Sequence, residues 1–222
     1  RWETSDEYLS GNVREKLKMA EASAENNPDF QINVEALKRV QPKDLDASEI
    51  EIRLGATWVN PEYINQFMGE TFHTPMYRLG KSINVTYAKI NGQWNISGKT
   101  HDFGNPLITS TYGTNRANGY RLLEDALNLK DTKIYDTIVE DGAEKRILNK
   151  KETMLAQQKQ EMIKEAFKEW IFKDMRRRED ICRTYNELFN SIRPREYDGS
   201  HIQFTGMTPE ITLMPHQKNA IA

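Results

Sequence analysis

The stretch Asn149-Lys150-Lys151-Glu152-Thr153-Met154-Leu155-Ala156-Gln157-Gln158-Lys159-Gln160-Glu161-Met162-Ile163-Lys164-Glu165-Ala166-Phe167-Lys168-Glu169-Trp170-Ile171-Phe172 decides the fold class. Met154, Leu155, Met162, Ile163, Ala166, Phe167, Trp170 and Ile171 recur at spacings of four and one, which predicts an amphipathic helix from about Lys150 to Phe172 with these residues on one face. Asn149 is placed to cap it, with Glu152 three residues on to bond back to the cap. Lys173-Asp174 interrupts the pattern, and Met175 to Ile192 repeats it with Ile181, Tyr185, Leu188, Phe189 and Ile192. Two such helices joined by a short turn predict an antiparallel helical hairpin over Lys150–Ile192, whose mutual burial would be the stability centre.

Upstream, the period changes. Ile83, Val85 and Tyr87 alternate, Asn91-Gly92 is a strong hairpin turn, and Trp94 and Ile96 continue on the far side, so Ile83–Ile96 reads as a β-hairpin. A second hairpin, Lys133–Leu148, turns at Asp141-Gly142. Between them a helix from about Asn115 to Leu129 has Leu122, Leu123, Ala126 and Leu127 on its apolar face. Asn60-Pro61 opens another, with Tyr63, Ile64, Phe67 and Met68 to bury. Asp44 to Gly55 reads as a short helix closed by Gly55, although Ile50, Ile52 and Leu54 also alternate as in a strand. Two thin amphipathic helices, from Val13 and from Ile32, open the chain. The fold class expected is α+β, mostly helical, with two β-hairpins and a long C-terminal helical hairpin. Its expected divisions are a helical lead-in at 1–48, an α+β domain at 49–192 and an extended segment at 193–222.

With 222 residues the chain can bury a sizeable core. One cysteine, Cys182, excludes an internal disulfide and suits a reducing cytoplasm. No run approaches the roughly 18 apolar residues of a membrane span. The net charge of −2 is unevenly spread: residues 1–52 carry 12 acids against 7 bases, and residues 150–178 carry 9 bases against 5 acids. A basic face could therefore meet phosphate although the whole chain is mildly acidic. The best-placed residues are Arg176, Arg177, Arg178, Arg193 and Arg195, because arginine gives forked bonds to phosphate.

Catalytic chemistry is missing. There is no G-x-x-x-x-G-K-[ST] phosphate cradle. Asn105-Pro106 lacks the second proline and aromatic that would hold a flipped adenine, so it reads as a loop. His73, His101, His201 and His216 stand too far from partnering ligands for a metal site.

Near the end, Leu213-Met214-Pro215-His216-Gln217 resembles the nucleotide-sensing motif that precedes the phosphate-binding strand of superfamily-two helicases, especially the Swi/Snf-like branch. There a glutamine amide reads both hydrogen-bonding groups of adenine, a role that would fall to Gln217. Met214 stands where an arginine is common. The preceding Ser191-Ile192-Arg193-Pro194-Arg195-Glu196-Tyr197-Asp198-Gly199-Ser200-His201-Ile202 and Gly206-Met207, together with Tyr8 to Leu17, Arg53 to Trp58, Tyr112-Gly113-Thr114 and Tyr185-Asn186-Glu187, carry a broader resemblance. They are similar to the large phage and mobile-element proteins in which an adenine-specific DNA methylase is fused to a helicase. The resemblance implies a region lying between methylase and helicase core, with those flanking domains and DNA as partners. ATP and S-adenosylmethionine would then be cofactors of the parent protein and not of this region. An opening Arg1 and a final helix cut at Ala222 fit the expectation of a piece of a longer chain. The expected role is a non-catalytic accessory region assisting DNA binding; the alternative is a protein-interaction scaffold that does not touch DNA.

Overall fold

The computed structural model describes residues 3–140, 143–200, 202–203, 205–206, 208 and 210–221. In chain order the elements are α1 (Ser5–Tyr8), β1 (Gly11–Asn12), α2 (Val13–Asn26), α3 (Gln31–Arg39), α4 (Pro61–Thr71), β2 (Asn84–Ala88) and β3 (Gln93–Ser97). After a π turn at Leu107–Thr111 come α5 (Gly119–Leu127), β4 (Tyr135–Glu140), β5 (Ala143–Leu148), α6 (Lys150–Ile171), α7 (Met175–Phe189), β6 (Ile192–Arg193) and α8 (Pro215–Asn219). Among the described residues the named strands form two-stranded antiparallel pairs, so the fold is α+β with helices dominant. The chain divides into two compact units, Ile50–Ile181 and Arg1–Glu49 with Cys182–Ala222.

The Ile50–Ile181 unit is built round Phe67. Asn60 caps α4 by accepting from the Glu62 N–H at 3.0 Å, and Pro61 occupies the first turn. The helix then presents Ile64, Phe67 and Met68, all within 1% of complete burial. The Phe67 ring meets Phe167 edge-on at 5.4 Å, with Trp170 at 5.4 Å and Phe72 at 5.6 Å. Burying a side chain of this size contributes about 1.5–3 kcal/mol. Leu122, Leu123, Ala126 and Leu127 of α5 are buried as their spacing requires. In β2 and β3, paired Val85↔Ile96 and Tyr87↔Trp94, the residues Val85, Trp94 and Ile96 face the core.

The long helix α6 has the expected limits but a different buried face. Met154, Leu155 and Met162 are exposed, and the buried row is Thr153, Ala156, Gln160, Ile163, Phe167, Trp170 and Ile171. The cause is the irregular segment that precedes β4, whose backbone groups need partners. Gln160 accepts from the Thr132 N–H at 3.3 Å and donates to the Lys130 carbonyl at 2.7 Å. Thr153 Oγ1 accepts from the Ile134 N–H at 3.0 Å. These two polar side chains take core positions that hydrophobicity alone would give to Met154 and Met162. The apolar face of α6 packs on α5 and α4, so the expected mutual burial of α6 and α7 is not the centre of this unit.

Two smaller expectations are corrected. Residues 44–55 form no helix: Ile50, Ile52 and Leu54 are buried alternately along an irregular segment that belongs to no strand. Gly55 ends it at φ +97°, where an added Cβ would collide with the Leu127 carbonyl, so close approach to α5 wins over helix closure. At Asn149 only half the capping box forms. Its side chain accepts from the Glu152 N–H at 3.0 Å, but its own N–H bonds the Ile134 carbonyl at 2.9 Å instead of Glu152. The β4–β5 hairpin pairs from Tyr135↔Leu148 to Glu140↔Ala143, and the expected turn residues Asp141 and Gly142 lie outside the described residues.

The second unit has its own core of Val13, Ala20, Val34 and Leu37 between α2 and α3, with Tyr8, Leu9 and Leu17 packed against it. Residues distant in sequence close it. β1 pairs β6 through Gly11↔Arg193 and Asn12↔Ile192, and Asn186 exchanges two 2.9 Å bonds with the Leu45 backbone.

Candidate functional site

The five arginines singled out from the sequence fall into distinct environments. Asp174 Oδ1 accepts from the Arg177 N–H at 2.9 Å at the start of α7, which aims three consecutive arginine side chains in different directions. Arg177 turns inward and is 5% exposed. Its guanidinium donates to the carbonyls of Ile171 at 3.0 Å and Trp170 at 2.9 Å. It also lies over the Trp170 ring, 3.5 Å from the centroid, and near Glu70 at 3.6 Å. A guanidinium so engaged has no face for phosphate. Arg176 and Arg178 point to solvent and make no ion pair among the described residues.

Arg193 and Arg195 belong to the other unit, where they line a cavity of about 580 Å³ with Asp6, Glu196, Tyr197 and Asp198. Arg193 donates to the Glu196 carboxylate at 3.0 Å and reaches the Leu9 carbonyl at 3.4 Å. Arg195 donates through Nε to Asp6 at 2.7 Å and sits 4.8 Å from the Tyr197 ring centroid. A hydrogen bond from the Thr4 side chain and then the Arg195 guanidinium hold the Asp6 carboxyl below its ordinary value. The cavity therefore mixes two guanidinium groups with three carboxylates, and a phosphate entering it must displace a carboxylate from an arginine.

Gln217 is exposed in the first turn of α8, and its carbonyl accepts from the Met214 N–H at 2.9 Å. One of the two amide groups an adenine reader needs is thus engaged by the helix cap, leaving the NH₂ group as donor.

A buried polar cluster in the Ile50–Ile181 unit was not legible as a unit in the sequence. Asp102 accepts from Arg78 at 3.2 Å, Tyr120 at 3.0 Å and Asn105 at 2.9 Å, and Thr74 bonds the Tyr120 hydroxyl at 2.6 Å. Desolvation pushes the Tyr120 phenol well above its ordinary value. Every buried side-chain polar atom among the described residues has a partner, so the cluster braces loops and offers no spare acid or base. Asn105 also donates to the Phe72 carbonyl at 2.7 Å and accepts from the Leu107 N–H at 2.9 Å, which fits its reading as a loop residue. Among the described residues no group of three or more His, Cys, Asp or Glu side chains could hold a metal ion. No helix among them is long and apolar enough to cross a membrane.

Residues 53–191 match the family model described as Domain of unknown function (DUF8437). The chain belongs to that family. The DUF8437 match takes in α4 to α7 and both longer hairpins, hence the Phe67 core, the Asp102 cluster and Arg176 to Arg178. Arg193, Arg195 and Gln217 lie beyond it. No curated protein and no solved structure matches the chain.

Proposed function

We propose that this chain is a non-catalytic accessory region of a DNA methylase–helicase fusion protein and that it helps hold duplex DNA through backbone phosphates. The observation that carries the DNA contact is the placement of Arg176 and Arg178. Both are exposed in the first turn of α7, at the positive end of the helix dipole, where a cation is disfavoured and an acid would stabilise. They have no ion pair among the described residues to compensate, so stability does not account for them. A phosphate chain passing that end would gain both guanidinium groups and the dipole. Arg177 is excluded from this set by its burial. In the other unit, Arg193 and Arg195 are open to phosphate only if it displaces Glu196 and Asp6.

The methylase and helicase assignments rest on the sequence resemblance. Under that reading Gln217 contacts adenine only when a phosphate-binding strand follows it and its carbonyl leaves Met214, so ATP and S-adenosylmethionine act in the flanking domains. The scaffold alternative has one observation in its favour: Ile138, Val139, Ile147 and Leu148 are all more than a third exposed on the β4–β5 hairpin. Duplex binding by the whole chain, followed against salt, separates the two readings, because a scaffold that avoids DNA has no salt-dependent affinity for it.

A further inference from the structure

Two loops of the Ile50–Ile181 unit, residues 72–83 and 98–106, carry large apolar side chains that the core does not use. Met76 is 81% exposed, Tyr77 68% and Phe103 79%, whereas Phe67, Phe72 and Tyr120 are completely buried. Tyr77 adjoins Arg78 in sequence and Phe103 adjoins Asp102, and the 3.2 Å ion pair between Arg78 and Asp102 ties the two loops together. Arg78 also donates to the Tyr77 hydroxyl at 3.2 Å.

These loops are fixed from beneath. The Asp102 cluster holds one to the other, Asn105 ties the second loop to the Phe72 carbonyl, and His101 Nδ1 lies 3.0 Å from the Ser82 carbonyl. Rings held in water on braced loops form a surface whose ordering is complete before a partner arrives.

Charge narrows the partner. From residue 71 to residue 107 there are four basic residues, Arg78, Lys81, Lys89 and Lys99, and one acid, Asp102, a formal +3 in a chain whose total is −2. Asp102 pairs with Arg78 at 3.2 Å and Glu124 with Lys99 at 2.7 Å, so the unpaired excess rests on Lys81 and Lys89. Lys81 and Lys89 are exposed and have no ion pair among the described residues. An apolar peptide would satisfy the rings but not the excess charge. Duplex DNA would satisfy the charge but keeps its base faces stacked inside. Single-stranded nucleic acid offers anionic phosphates and free planar faces together.

We propose that Tyr77 and Phe103 form a stacking platform for the bases of single-stranded nucleic acid, with Lys81 meeting the phosphates. This surface is independent of the duplex contact assigned to Arg176 and Arg178.

The test is a fluorescence-anisotropy titration of a dye-labelled oligothymidine of about 20 nucleotides with the whole chain at low salt. Wild type, the pair Tyr77→Ala/Phe103→Ala and the pair Tyr77→Phe/Phe103→Tyr are compared, with inorganic polyphosphate of similar length as a second probe. Wild type should bind the oligonucleotide saturably. The alanine pair should bind it about tenfold more weakly or worse, the aromatic pair within about twofold of wild type, and all three should bind polyphosphate alike. Because both side chains are exposed, the alanine pair should keep its circular dichroism spectrum. Absence of saturable binding by wild type, or an alanine pair that binds as wild type does, would overturn the proposal and leave the patch to a protein partner. Parallel loss of oligonucleotide and polyphosphate binding would overturn it too, since stacking would then not be the source.

Discussion

The guanidinium of Arg177 lies 3.5 Å from the centroid of the Trp170 ring, and both residues reach Glu70: the indole N–H at 2.6 Å and the guanidinium at 3.6 Å. This arrangement closes the turn between α6 and α7 over the Phe67 core. Trp170→Ala should cost about 3–5 kcal/mol of stability, since it removes a buried ring and leaves Arg177 without its packing. An unchanged denaturation midpoint would contradict that.

Arg177→Lys should fail to restore the turn. The forked guanidinium serves two carbonyls, at 3.0 and 2.9 Å, and an ammonium cannot reproduce that planar geometry over a ring. A loss of about 1–3 kcal/mol is expected in chemical denaturation, against little change for Arg176→Lys at the exposed neighbouring position.

Tyr120 should be the hydroxyl that resists alkali. Burial raises its folded-state value above that of the unfolded chain, so the folded state retains the proton longer. The stability it contributes is complete below its ordinary value of 10.0 and is lost as pH rises above that toward the raised folded-state value. Spectrophotometric titration should show Tyr120→Phe removing no ionisation near pH 11 while the protein stays folded. A missing ionisation at that pH would mean that the phenol is accessible.

Leu129 follows α5 at φ +55° with its side chain 81% exposed, in a left-handed position that glycine favours. Leu129→Gly removes the Cβ penalty and little packing, at some cost in unfolded-state entropy. A gain of about 0.5–1 kcal/mol is expected by denaturation.

The local elements were largely legible because their signals are local. Asn91-Gly92 marked the first hairpin, Asn60-Pro61 the start of α4, and the leucines of α5 its buried face. The buried face of α6 was not, because Thr153 and Gln160 are buried by hydrogen bonds to an irregular segment about 20–30 residues upstream. A periodicity read from hydrophobicity scores such residues as solvent-facing. The same limit applies to the candidate site. Three consecutive arginines look equivalent in sequence, yet the helix directs Arg177 into the core and leaves Arg176 and Arg178 outside. Met76, Tyr77 and Phe103 carry no sequence mark that separates them from core residues, since their loops are tied by contacts between residues distant in sequence, Arg78–Asp102, Asn105–Phe72 and His101–Ser82.

The most direct measurement of the duplex-binding account is the salt dependence of affinity for a short DNA duplex, for wild type and for Arg176→Ala/Arg178→Ala. If each arginine neutralises one phosphate, log K against log salt should fall less steeply in the double variant, by about 1.8 in slope for the two contacts. Circular dichroism and the denaturation midpoint should stay near wild type, because both side chains are exposed. Equal slopes for the two proteins, or no measurable duplex affinity in wild type at low salt, would contradict the account and favour a scaffold that leaves DNA to other domains.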